Sequence, residues 1–88
     1  MPVNIQIDPH TLERAEERGT NEAEIKQVIE AGADIPAKHG RRARAKVYEF
    51  KNRWAGRHYE QKRVEVVFVE EGSTITTVTV YVFYGKWE

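Results

Sequence analysis

The chain has no cysteine, which excludes disulfide staples, thiolate metal sites and cysteine nucleophiles. Three histidines without metal-ligand spacing do not suggest a zinc site. No apolar run approaches the roughly 18 residues of a membrane span. The opening Met-Pro-Val-Asn lacks both a charged n-region and an apolar stretch, so no signal peptide is expected. A soluble, cytoplasmic domain with no membrane partner is the expectation. Net charge is lacking too, with 14 basic groups against 14 acidic, which argues against a charged disordered tail.

What remains is one domain's worth of chain, 88 residues spanning 1–88. A chain of this size buries about 60–65% of its unfolded surface, so its core is small. The balanced charge hides an uneven distribution. Residues 1–37 hold three basic and eight acidic groups, residues 64–88 one and four, and residues 38–63 ten basic groups against Glu49 and Glu60. That cationic middle also holds Tyr48, Phe50, Trp54 and Tyr59. Cations interleaved with aromatics suit a polyanion with stackable bases, although basic patches are also common solvated faces.

The pattern from Val3 to Ile7 alternates apolar and polar, as a short half-buried strand does. Asp8-Pro9 reads as a helix cap followed by a proline in the first turn, and Gly19 as that helix's stop after Arg18. Asn21-Glu22-Ala23-Glu24 has the shape of a capping box. Ile25, Val28 and Ile29 give the second helix a core-facing stripe, and Gly32 ends it. A loop is expected from Ala33 to about Gly40. Strands follow over Ala45–Phe50, Tyr59–Glu70 and Thr74–Tyr84, separated by turns at Ala55-Gly56 and Glu71-Gly72-Ser73. On the last strand, Val78, Val80 and Val82 are expected on one face and Thr77, Thr79, Tyr81 and Phe83 on the other. The expected fold is α+β: a short N-terminal strand, a two-helix hairpin, then a three-stranded antiparallel meander.

His10, Arg14 and Arg18 recur every four residues and share one flank of the first helix. An imidazole is a competent general base near neutral pH, and an arginine one turn away can hold a phosphate. A lone helical histidine is nevertheless more often structural. Lys46 and Tyr48 share one strand face, and Thr79 and Tyr81 share another. If those faces coincide, ammonium, phenol and hydroxyl groups line one groove. RNA is cleaved without a metal when its 2′-OH attacks the adjacent phosphate, given a base, an acid and cations for the developing charge. The plain alternative is ordinary cross-strand pairing of good strand formers.

His10-x-x-x-Arg14-x-x-x-Arg18-Gly19-Thr20, then Asn21-x-x-Glu24-Ile25 and Val28-Ile29, resembles the opening of the DUF4258 family of small prokaryotic domains. Gly40-Arg41-Arg42, Lys46-Val47-Tyr48 and Val78-Thr79-Val80-Tyr81 look like the rest of its pattern, over about Ile7 to Tyr84. That family is similar to the RelE-like and BrnT-like toxins, which share a compact α+β ribonuclease fold with barnase-like enzymes. The resemblance implies a metal-independent endoribonuclease of toxin type, with no cofactor, acting on RNA such as tRNA or mRNA. It also implies an antitoxin protein as a possible partner. Carried over by position, it favours His10, Arg14, Lys46 and Thr79 as catalytic. Arg41, Arg42, Arg44, Tyr48, Arg57 and Tyr81 are then the expected nucleic-acid contacts. Two rival readings stand beside it. One is a non-catalytic nucleic-acid- or protein-binding module using the basic 38–63 surface. The other is an interaction protein that pairs through the edge of its last strand.

Overall fold

A computed structural model describes residues 4–87. The element order is β1 (Asn4–Gln6), α1 (Pro9–Arg18), α2 (Glu22–Ala31), β2 (Ala33–Ile35), β3 (Arg42–Trp54), β4 (Arg57–Glu71) and β5 (Thr74–Gly85). Val3, expected to open the first strand, lies outside the described residues. The strands form one sheet in the order β1-β5-β4-β3-β2. β3, β4 and β5 make the expected antiparallel meander. β1 pairs parallel with β5, and β2 pairs antiparallel with β3. The α+β class stands, but the three-stranded meander becomes the centre of a five-stranded mixed sheet. β2 occupies what the sequence reads as loop. It is three residues long, too short to show alternation, and Pro36 follows directly.

Local signals explain both helices. Asp8 accepts from the His10 amide at 2.8 Å, satisfying one free donor of the first turn. Gly19 closes α1 in the left-handed region (φ 92°), and a side chain there would collide with the Tyr84 hydroxyl and Trp54. Asn21 caps α2 by accepting from the Glu24 amide at 2.9 Å. The Glu24 carboxylate does not complete a capping box. It takes hydrogen bonds from Thr20 and Lys62 instead.

Both helices cover the same sheet face, α1 over β5 and α2 over β3 and β4. Ala15, Ile25, Val28 and Ile29 meet Val64, Val66, Phe68, Ile75 and Val80 in one buried cluster. Burying each large side chain there contributes about 1.5–3 kcal/mol. The expected faces of β5 need one correction. Val67 pairs with Thr79 but Phe68 with Thr77, so Val78 is an extra residue in a bulge. Thr77 therefore turns to the helix side, where it is buried. Its hydroxyl donates to Thr11 and accepts from the Asp8 amide. Thr79, Tyr81 and Phe83 remain on the face away from the helices.

Candidate nucleic-acid interface

β3 and β4 run past the end of β5. Gln61 is the last β4 residue paired with it, opposite Gly85, so residues 50–60 continue as a two-stranded ribbon. Ala55 and Gly56 both have positive φ, 51° and 83°, as a two-residue I′ hairpin requires. A register shift between Glu49 and Asn52 curls the ribbon toward the helices. Trp54 thereby stacks on Tyr84 with centroids 4.9 Å apart. Phe50 and Tyr59 pack on the same ring at 5.2 and 5.6 Å. The Tyr84 hydroxyl donates to the Arg18 carbonyl at 2.6 Å. The ribbon's aromatics thus fasten it to the α1–α2 turn.

A buried ion pair anchors this end. Lys62 is 8% exposed. Its ammonium donates to Glu24 at 2.8 Å and to the Gly19 carbonyl at 2.7 Å, and lies 5.9 Å from the Tyr48 and Phe50 ring centroids. Burial, with the Glu24 charge nearby, pushes the Tyr84 phenol up to about 12. The same two causes raise Tyr48, whose hydroxyl donates to Gln27.

With the aromatics turned inward, the cations are left outside. Lys51, Arg53, Arg57 and His58 are exposed. The Arg53 guanidinium donates to the Gly56 carbonyl, Arg57 lies over the Tyr59 ring, and among the described residues no ion pair involves either of them or Lys51. The other end of β3 differs. Arg42 pairs with Glu70 and Asp34, and Arg44 with Asp34. Arg44 also donates to the Ile29 carbonyl. The guanidinium beside it holds the Asp34 carboxyl below the usual carboxylate range.

The sequence-expected residues fall on separate surfaces. His10 is exposed in the first turn of α1. Arg14 shares that flank and pairs with Glu17. Arg18, next along it, donates to the Val80 carbonyl and lies 5.3 Å from the Tyr81 ring centroid. Lys46 stands on the helix side of β3, over the Tyr48 ring, in register with Val64 and Val82. Thr79 and Tyr81 point the other way, so the two faces of the supposed groove do not coincide. Arg41 is exposed in the turn before β3, Arg42 and Arg44 are clamped to carboxylates, and Arg57 is on the ribbon. Sequence reading missed Lys62 and Glu24 as partners, 38 residues apart. A lysine between Gln61 and Arg63, facing the same way as Val64 and Val66, was the available signal. In the sequence Lys51 and Arg53 are part of the 38–63 charge and carry no motif of their own.

A cleft of about 250 Å³ lies between Ile5, Ile29, Glu30, Arg44, Glu70 and Ile75. Of its charged walls, Arg44 and Glu70 belong to the clamp already described, and Glu30 stands outside it. Among the described residues, no three His, Asp or Glu side chains gather where they could hold a metal ion. No helix among them is long and apolar enough to cross a membrane. Comparison with family models, curated proteins and solved structures finds no match for this chain.

Proposed function

We propose that this domain binds RNA through the β3–β4 ribbon, gripping the phosphate backbone with Lys51, Arg53 and Arg57. The observation that carries this reading is the ribbon's charge. Three cations stand around one turn against a single ribbon carboxylate, Glu60, with which none of them forms an ion pair among the described residues, on a segment held in shape by its own aromatic rings. Lys46, at the outer edge of β3 beyond the Ala43–Ala45 stretch that β2 covers, extends the same cationic line. Trp54 and Tyr59 pack on Tyr84, so the contacts are to phosphates rather than base faces. Binding is then sequence-tolerant and falls steeply with salt.

Fluorescence anisotropy with a labelled single-stranded RNA, repeated across a salt series, tests this. Replacing Lys51, Arg53 and Arg57 together with glutamine is expected to weaken binding by about 10- to 100-fold. The log–log salt slope should flatten by about 2, from three lost phosphate contacts at roughly 0.7 each. Unchanged affinity and slope in the triple variant would refute the interface.

A second reading, endoribonuclease action of toxin type with a neutralising protein partner, is favoured by the α1 flank. There His10 is solvent-exposed one turn from Arg14. Its site is that flank, because Lys46 and Thr79 stand on opposite sheet faces. Purified protein incubated with total RNA and chelator should then yield new ends that His10→Ala suppresses about 100-fold or more. Intact RNA with wild-type protein leaves binding alone.

A further inference from the structure

We propose that the sheet face opposite the helices is the interface of a homodimer, with a second copy of this chain packed face to face on it. Antiparallel sheets often leave one face in water, but that face then carries polar side chains. Here polar Glu49, Gln61, Arg63, Glu65 and Thr79 share the face with Val47, Val67, Tyr81 and Phe83, and with Ala43 and Ala45, which are already buried. The large apolar side chains left exposed in the described chain, Val47 at 37%, Tyr81 at 42% and Phe83 at 47%, all stand on this face. Tyr81 and Phe83 are already stacked, centroids 6.5 Å apart, so little side-chain freedom remains to be lost on docking.

Charge selects the occupant. Near the middle of the face, on the central strand, stand Arg63 and Glu65, two residues apart with Nε and Oε2 separated by 3.0 Å. The Arg63 Nε is shielded from solvent yet makes no hydrogen bond: the carboxylate is close, but the N–H is not aimed at it. A face with one cation and one anion side by side is self-complementary. A two-fold axis between them sets Arg63 of each copy against Glu65 of the other, as isologous contacts do. The same charges disfavour RNA here, because Arg63 has Glu65 beside it and Glu49 adds a second carboxylate to the face. The α1 flank does not block the approach, since Arg18 stops at the β5 edge, donating to the Val80 carbonyl beside the Tyr81 ring.

The size of the face sets the strength. Three strands by six residues is roughly 15 Å by 20 Å. Two copies together bury on the order of 600 Å², below the range of standard interfaces. The dimer is therefore weak, with a dissociation constant of about 1 to 100 µM.

Sedimentation equilibrium from about 1 µM to 1 mM, without RNA, is the test. The mass should rise from 10.2 kDa toward twice that value. Phe83→Glu and, separately, Val47→Glu should hold the chain at the monomer mass, with far-UV circular dichroism reporting the fold of each. Both sites are surface positions, and either one suffices if the other variant unfolds. Arg63→Glu should weaken the dimer at least tenfold, and adding Glu65→Arg should restore it, because the swapped pair is again self-complementary. A wild-type chain monomeric throughout, or folded variants that dimerise like wild type, would overturn the proposal. So would a Phe83→Glu variant that loses RNA affinity with no change in mass, which would assign the face to nucleic acid.

Discussion

At one end of the long β3–β4 pair, Arg42 and Arg44 are tied to Asp34 and Glu70, with both guanidiniums within 6 Å of the Phe68 ring centroid. At the other end Lys51, Arg53 and Arg57 form no ion pair among the described residues. Glu24 at the ribbon's base is taken by Lys62 inside the aromatic cluster. The same residue types thus do two jobs. At the clamped end they hold β2 and the end of α2 onto the sheet; at the ribbon end they are left to project a field. A net positive count over residues 38–63 does not tell these apart, because it is the partner, not the cation, that decides.

The sharpest way to break this contrast is to remove Lys62. Glu24 then keeps its charge in a half-buried site beside Tyr48 and Tyr84 without its main partner. Breaking a fully buried pair is worth about 3–5 kcal/mol, and the residual exposure of Glu24 reduces that here to about 2–3 kcal/mol. Urea unfolding of Lys62→Ala should show that loss. Lys62→Met combined with Glu24→Gln should lose less than the two single variants summed, since neither charge is stranded. Unaltered stability in Lys62→Ala would mean the pair does not hold the ribbon's base.

A second experiment sets the two ends against each other directly. Glutamine at Arg42 and Arg44 removes two charges from β3, where the ribbon variant removes two from β3 and one from β4. RNA affinity should change by no more than about threefold, because those charges are already neutralised by carboxylates. The denaturant midpoint should fall as β2 loses its ties. The ribbon triple variant should show the reverse: affinity lost, midpoint held. Equal losses of affinity at both ends would make the interface a diffuse field rather than a local grip.

Much of this contrast was out of reach of the sequence. Asp8-Pro9, Gly19, Asn21 and Gly32 mark both helix ends because caps are local events, and the Ile25, Val28 and Ile29 stripe is a periodic signal that needs no tertiary information. The meander was legible for the same reason. Alternation marks β1 as a strand, but its place beside β5 is chosen by a distant partner; β2 beside β3 is not legible at all, because its three residues carry no period. The bulge at Val78 defeated the face assignment of Thr77, since one inserted residue reverses every side chain beyond it. The grouping of His10, Arg14, Lys46 and Thr79 failed at that level. Each lies on its expected kind of element, but which sheet face an element covers is a tertiary fact.

The two ends should also separate under pH, and by smaller amounts. At the ribbon end, Tyr84 is raised to about 12 from an ordinary 10.0. Its neutral phenol therefore favours the fold fully below pH 10, and that contribution is lost as pH rises through the folded value. A spectrophotometric titration should show a late tyrosinate step that Tyr84→Phe removes. At the clamped end the sign is opposite. Asp34 is lowered from 3.8, first by the hydrogen bond from Arg44, so its contribution is present above pH 3.8 and lost as pH falls through the folded value. The carboxylate is exposed, so screening by water and salt keeps this the weakest of the effects. Asp34→Asn should leave the acid limb of the stability profile shallower and the alkaline limb untouched, and added salt should narrow the difference from wild type. An Asp34→Asn profile parallel to wild type below pH 4 would mean that the cross-strand hydrogen bonds to Arg42 and Arg44 hold β2 by geometry alone, with no charge contribution from the carboxylate.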